Sequence, residues 1–163
     1  MKEKINKTNA LRILDAAKAK YELLSLNLPD AVAVNARKVA EILNKRPEEV
    51  FKTLVTVGKS KEHYVFVVPG SAELDLRKAA KAVAEKSVEM IHAKELLPLT
   101  GYVHGGCSPV GMKKYFKTVI DISAENYETI TISAGRIGLH MEIALDELHK
   151  VIDFKLADIA DNF

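Results

Sequence analysis

A single cysteine, Cys107, stands in the 163 residues, so an intramolecular disulfide is excluded and nothing points to a secreted, disulfide-stapled fold. No apolar run approaches the roughly 20 residues that span a bilayer. The N-terminus MKEKINKTNALRILDAAKAK is charged throughout and lacks the apolar core of a signal peptide. Five prolines and eight glycines build no linker or low-complexity run, and no repeat recurs at solenoid spacing. Charge of one sign is missing too: 24 basic against 22 acidic side chains leave +2, which excludes a histone-like or polybasic binder. What is present is ordinary globular material, 48% apolar and 28% charged, enough for a sizeable core. One soluble, cytoplasmic domain over residues 1–163, with no membrane association, is the expectation.

The even total hides a gradient. Residues 1–86 carry 17 basic and 11 acidic side chains (+6), residues 87–141 five of each, and residues 142–163 two lysines against six acids (−4). Thr8 or Asn9 can cap a first helix with Leu11, Leu14 and Ala17 recurring on one side. Tyr21 to Leu28 reads as a strand ended by Pro29-Asp30, and Asn35 as the cap of a helix with Val39, Ala40, Ile42 and Leu43 on its apolar face. Pro47 suits the first turn of another short helix. Leu54–Val57 and Tyr64–Val68 flank a turn at 58–61 as a β-hairpin. Asp75–Glu85 reads as an amphipathic helix with Leu76, Ala79, Ala80 and Val83 inward, Val88–Ile91 as a strand, and Ala93–Leu97 as a helical turn stopped by Pro98. Strands at Thr118–Ile122, Thr129–Ser133 and Leu139–Ile143 and a helix from Leu145 to Val151 complete the reading. Helices and strands do not alternate regularly. The fold class is therefore mixed α/β (α+β), with a mixed or antiparallel, curled sheet flanked by helices rather than a doubly wound parallel one.

Glycine concentrates in two places. Gly101 to Gly111 holds four of the eight, and Gly135 and Gly138 sit in Ser133-Ala134-Gly135-Arg136-Ile137-Gly138. Such backbone can present amides to an anion or a carbonyl oxygen, or it can simply turn between strands. Neither run matches a P-loop or a dinucleotide fingerprint. Cys107 offers a nucleophile with His104 or His140 as base, or else a small buried apolar residue; no third orienting group suggests itself. Five scattered histidines lack ligand spacing, so no metal site and no cofactor are expected. Lys52, between apolar neighbours in Val50-Phe51-Lys52-Thr53-Leu54, either meets an anion or runs its stem along the surface with a wet ammonium.

Several ordered stretches together resemble the YbaK/EbsC proteins, bacterial aminoacyl-tRNA deacylases related to the editing domain of bacterial prolyl-tRNA synthetases. They are Arg46-Pro47-Glu48-Glu49-Val50-Phe51-Lys52-Thr53-Leu54, Leu74 to Ala80, Thr100 to Gly111, Ser133 to Leu139, and the tail Phe154 to Ile159. The resemblance covers nearly the whole chain. It implies a single domain with a strongly curved, barrel-like sheet, and removal of cysteine mischarged onto proline tRNA, in some members also from cysteinyl-tRNA(Cys). It implies catalytic positions at Lys52 and at Gly105, the first residue of a Gly-x-x-x-Pro loop ending at Pro109. Substrate contacts are implied at Thr53, Gly106, Ser108, Pro109, Ser133, Gly135 and His140. By the same resemblance the thiol of the bound cysteine attacks its own ester and leaves as a thiolactone, with no cofactor. The partners implied are the acceptor end of tRNA(Pro) or tRNA(Cys) and prolyl-tRNA synthetase. The chain departs from some members at His140, where they carry aspartate and where the imidazole is either a hydrogen-bonding wall of the pocket or simply a satisfied strand histidine, at Leu26 in place of a tyrosine, and at Asn35 in place of an aromatic. A non-catalytic tRNA-end or synthetase-binding module, and a deacylase for alanine, are the alternatives.

Overall fold

The computed structural model describes residues 6–26 and 33–161. Among them, five α-helices, α1 (Asn9–Ala16), α2 (Ala36–Leu43), α3 (Leu76–Ala82), α4 (Ala93–Thr100) and α5 (Leu145–Leu148), surround ten strands. The strands are β1 (Glu22–Ser25), β2 (Phe51–Gly58), β3 (His63–Pro69), β4 (Glu73–Leu74), β5 (Val88–Met90), β6 (Lys117–Asp121), β7 (Ile130–Arg136), β8 (Leu139–Ile143), β9 (Lys155–Ala157) and β10 (Ala160–Asp161). They form three sheets: a five-stranded one in the order β5-β2-β3-β6-β9, a three-stranded one, β1-β8-β7, and the pair β10-β4. The architecture is mixed α/β, as expected. No sheet among the described residues closes on itself.

The β2–β3 hairpin is the spine. It is antiparallel, pairing Phe51 with Pro69 and Val57 with His63, whereas β3–β6 and β6–β9 are parallel. Residues from Tyr64 to Pro69 are all buried, because both faces of this sheet are covered. One face (Phe51, Val55, Val65, Val67) packs with Ile120, Ile130, Ile132 and Met141 in the main core. The other (Tyr64, Phe66, Val68) packs against Ala79, Ala80 and Val83. A parallel bridge between Val50 and Thr131 brings the start of β2 against β7, joining the two larger sheets at a seam.

Caps follow the sequence closely. The Thr8 side chain accepts from the amide of Leu11 (3.2 Å) and donates to the Ala134 carbonyl (2.5 Å), so the cap also ties α1 to β7. Asn35 caps α2 by accepting from Lys38 N (2.9 Å), and Asp75 caps α3 through Arg77 N and Lys78 N. Pro47 opens a single 3-10 turn, Pro47–Glu49. Five expectations fail locally. Ile42 is 43% exposed rather than on the apolar face of α2, and α3 ends at Ala82, short of Glu85. Pro98 does not stop α4, which runs on to Thr100, held by the Thr100 hydroxyl on Leu96 O (2.8 Å) and closed by Gly101 at φ +87°. Leu76 is 42% exposed rather than inward, since Asp75 spends the first turn of α3 at the surface. The last helix ends at Leu148, short of Val151. Pro29-Asp30 lies outside the described residues. Among those residues, no helix is long and apolar enough to cross a membrane.

Candidate active site

A cavity of about 430 Å³ opens at the seam. Strand β5 pairs only with Thr56–Gly58, so the first half of β2 has a ladder partner on the β3 side alone. Lys52 and Thr53 lie on that uncovered stretch and both line the cavity. Opposite them, β7 and β8 contribute Ser133 and His140, which are register partners across the ladder. Gly105 closes the far wall, and the start of α2 (Asn35, Ala36, Arg37) forms a rim. Seven residues singled out from the sequence, namely Lys52, Thr53, His104, Gly105, Cys107, Ser133 and His140, thus converge.

Gly106, Ser108, Pro109 and Gly135 do not line the cavity and stand behind its wall. Ser108 is fully buried, and its hydroxyl accepts from Val110 N (3.2 Å), shaping the loop from within. Pro109 is buried. A Cβ on Gly106 would fall 2.9 Å from Ile137 N and 3.1 Å from Arg136 C, so glycine lets this loop lie directly on the β7–β8 turn. Gly135 occupies a bulge of β7, where the register shifts between Ser133 and Arg136, at φ +103°. The bulge turns Ser133 toward the cavity while its hydroxyl accepts from Gly135 N (3.2 Å).

The charges are few. Lys52 Nζ lies 3.6 Å from a Glu73 carboxylate oxygen, with the lysine side chain 27% exposed and the glutamate 79%. A pair so open contributes little stability. Arg37 donates to the Ser71 carbonyl (3.1 Å) at the rim. Arg37 and Glu73 escaped the sequence reading: each belongs to a solvent-facing pattern that only the fold turns toward the cavity.

Two groups are kept neutral by burial. Desolvation pushes the Cys107 thiol up to about 12, which favours the reading of this buried cysteine as a small apolar residue over that of a nucleophile. Desolvation also lowers His140 to about 4, leaving a neutral imidazole in the cavity wall. His140 Nδ1 and Thr53 Oγ1 are buried polar atoms without a hydrogen-bond partner; Ser123 Oγ is the third such atom among the described residues. Leaving a polar atom unpaired costs about 1–3 kcal/mol, and sites built to hold a polar ligand carry such vacancies. Of the other two departures noted earlier beside His140, Asn35 borders the cavity as the α2 cap, whereas Leu26 is buried with Val39, Ala40 and Val50. Among the described residues no three His, Cys, Asp or Glu side chains are placed to share a metal ion.

A family model described as the aminoacyl-tRNA editing domain matches residues 30–151. The chain is 42% identical, over 94% of its length and 93% of the relative's, to the "Putative Cys-tRNA(Pro)/Cys-tRNA(Cys) deacylase EbsC" of Enterococcus faecalis. It is 24% identical to the proline–tRNA ligase of Trichlorobacter lovleyi, covering 96% of this chain but 26% of that much longer enzyme. A solved structure described as a "putative trans-editing enzyme for prolyl tRNA synthetase" shares the fold, with a TM-score of 0.80 over 97% of this chain and 100% of that one at 23% identity. With the matched residues spanning α2 through α5 and the walls of the cavity, the chain belongs to the aminoacyl-tRNA editing domain family.

Proposed function

We propose that the protein is a trans-editing deacylase that removes cysteine from Cys-tRNA(Pro) and from Cys-tRNA(Cys). The observation that carries the reading is the pairing of two unsatisfied buried polar atoms, Thr53 Oγ1 and His140 Nδ1, with Lys52 in a cavity that offers no ionised protein nucleophile. Such a cavity suits a substrate that brings its own. The ester joins the cysteinyl carbonyl to a ribose hydroxyl of the terminal adenosine. In the proposed step the substrate sulfur attacks that carbonyl, a C–S bond forms, and the C–O ester bond breaks. The proton lost by the thiol ends on the ribose oxygen, and a four-membered thiolactone leaves.

Each residue then has one task. The Lys52 ammonium raises the thiolate fraction of a thiol whose ordinary pKa is about 8.5. Backbone amides of the loop at Gly105 receive the developing oxyanion. Thr53, Ser133 and neutral His140 hydrogen-bond the aminoacyl group. Gly106, Ser108, Pro109 and Gly135 act from behind, fixing the loop and the bulge. The protonated Cys107 does not compete with the substrate thiol. The relationship to prolyl-tRNA synthetases supports a role beside that enzyme, with residues 1–163 acting as one catalytic domain.

The test is turnover of purified cysteinyl-, alanyl- and prolyl-tRNAs. Wild type is expected to release cysteine selectively, and Lys52→Ala to lose at least a hundredfold in kcat/KM with an unchanged melting temperature. Wild-type turnover in Lys52→Ala would refute its assignment. Survival of every ester under excess enzyme would replace catalysis by a binding role.

A further inference from the structure

The cavity accounts for one aminoacylated nucleotide and leaves the rest of the RNA without a place. From Leu96 to Ile120 the chain holds no acidic residue, and this stretch contains both the Gly105 loop and the run Lys113-Lys114-Tyr115-Phe116-Lys117. Lys113, Lys114, Tyr115 and Lys117 are exposed, Tyr115 to 67%, the highest value of any large apolar or aromatic side chain described. None of these three lysines has a carboxylate within ion-pair distance among the described residues. By contrast, Lys38 pairs with Glu41 (3.5 Å), Lys45 with Glu142 (3.1 Å) and Arg46 with Glu49 (3.0 Å).

The 113–117 arm is joined to the cavity through α4. Leu96 lines the cavity, and one turn on, Thr100 O accepts from Lys113 N (3.0 Å). Farther out, the rings of His63, Tyr64, Tyr115 and Phe116 wall an open recess of about 430 Å³, with Lys117 also lining it. Lys117 is the register partner of Tyr64, and six residues along β3 from Tyr64 lies Gly70, in the cavity wall. At roughly 3.4 Å per strand residue the recess lies about 20 Å from the cavity. That is about six nucleotides of a stacked strand at 3.4 Å each.

We infer that the 113–117 arm is a second RNA contact, in which Lys113, Lys114 and Lys117 hold phosphates of the acceptor stem and the Tyr115 ring stacks on a base or ribose. The phosphates sit on these lysines and not in the recess beside them, because Glu62 shares its lining. The inference rests on the aminoacyl-tRNA reading for its ligand, and its test is chosen to be independent of turnover. An uncharged, fluorescein-labelled RNA acceptor-stem hairpin ending in CCA is titrated with the full chain and followed by anisotropy. Three phosphate contacts give a log–log salt slope of about 2 to 3. Lys114→Glu/Lys117→Glu is expected to weaken binding at least tenfold and to bring the slope to about 1 or below. Tyr115→Ala weakens it about fivefold with the slope unchanged, as loss of one stacked base requires. Both variants cleave the cysteinyl ester of free adenosine at the wild-type rate.

Equal hairpin affinity in wild type and both variants overturns the contact. Equal loss on the adenosine ester shows that the cavity was disturbed and overturns it as well. Competition by polyglutamate as effective as that by RNA makes the arm a generic anion or protein-docking surface and overturns the assignment to RNA. If wild type cleaves no ester, the deacylase reading falls while the hairpin affinities still decide the arm.

Discussion

His140 makes the protein acid-sensitive in a way that can be isolated to one proton. The imidazole titrates at about 6.5 in the unfolded chain and, through desolvation at 7% exposure, at about 4 in the folded one. The unfolded state therefore binds the extra proton between these values. Its stabilising contribution is complete above about pH 6.5 and is lost as pH falls toward 4. The drop from 6.5 to about 4, at 1.36 kcal/mol per pH unit, amounts to about 3 kcal/mol by pH 4. Carboxylates act in the same direction. Hydrogen bonds and lysine neighbours hold Asp15 (Lys7, Tyr21) and Glu147 (the Lys20 amide, Lys150) below the usual range, and Glu142 is lowered by Thr129 and Lys45, so wild type alone would not separate the terms. The measurement is urea unfolding of wild type and His140→Gln from pH 7.5 to 4, taking the difference at each pH so that the carboxylate contributions cancel. That difference should shift against the wild type by about 2 kcal/mol at pH 5 and about 3 kcal/mol at pH 4. A difference that stays flat with pH, or an imidazole resonance of His140 that titrates near 6.5, refutes the claim that burial keeps this ring neutral.

Three further outcomes are expected. Cys107→Ala keeps wild-type deacylation and lowers stability by about 1 kcal/mol, read in the same urea titration; a collapse of turnover would restore this thiol to the mechanism. Gly106→Ala forces a Cβ against the backbone of Arg136 and Ile137 and costs about 1–3 kcal/mol, lowering Tm by several degrees, whereas an unchanged Tm would mean the loop does not rest on the β7–β8 turn. Asp121→Ala strips the carboxylate that accepts from Ile159 N (3.0 Å), Ala160 N (3.1 Å) and Ser123 N (3.2 Å) and costs about 3 kcal/mol or more in denaturant midpoint, with no loss expected if water can replace it.

The local signals in the sequence carried most of the elements. Thr8, Asn35 and Pro47 sit where cap and turn chemistry placed them, Asp75 caps the helix it was read as opening, and the hairpin and the strand Leu139–Ile143 match their apolar runs. What local pattern cannot carry is pairing across distance. The parallel ladders β3–β6–β9 join residues some 36 to 53 positions apart, and the two-residue strands β4 and β10 have no periodicity to read. The same division holds at the cavity. Lys52, Thr53, Gly105, Ser133 and His140 were legible because a family resemblance, not spacing, linked them. Arg37 and Glu73 were not, since an exposed arginine on a helix and a glutamate before a turn look like solvated surface until the fold folds them inward. Pro98 misled for a physical reason: proline removes one helical hydrogen bond, and α4 retains enough support from Thr100 and Gly101 to continue past it.

The short pair β10–β4 links the far end of the described chain to the cavity. Asp161 is the register partner of Glu73, Glu73 faces Lys52, and Asp121 grips the backbone just ahead at Ile159 and Ala160. The Glu73 side of the cavity is thus backed by a strand some 87 residues away along the chain. Loosening that strand costs Asp121 two amide partners and Glu73 its ladder partner, so a disturbance at Ala160 or Asp161, neither of which touches the cavity, reaches Lys52 through Glu73.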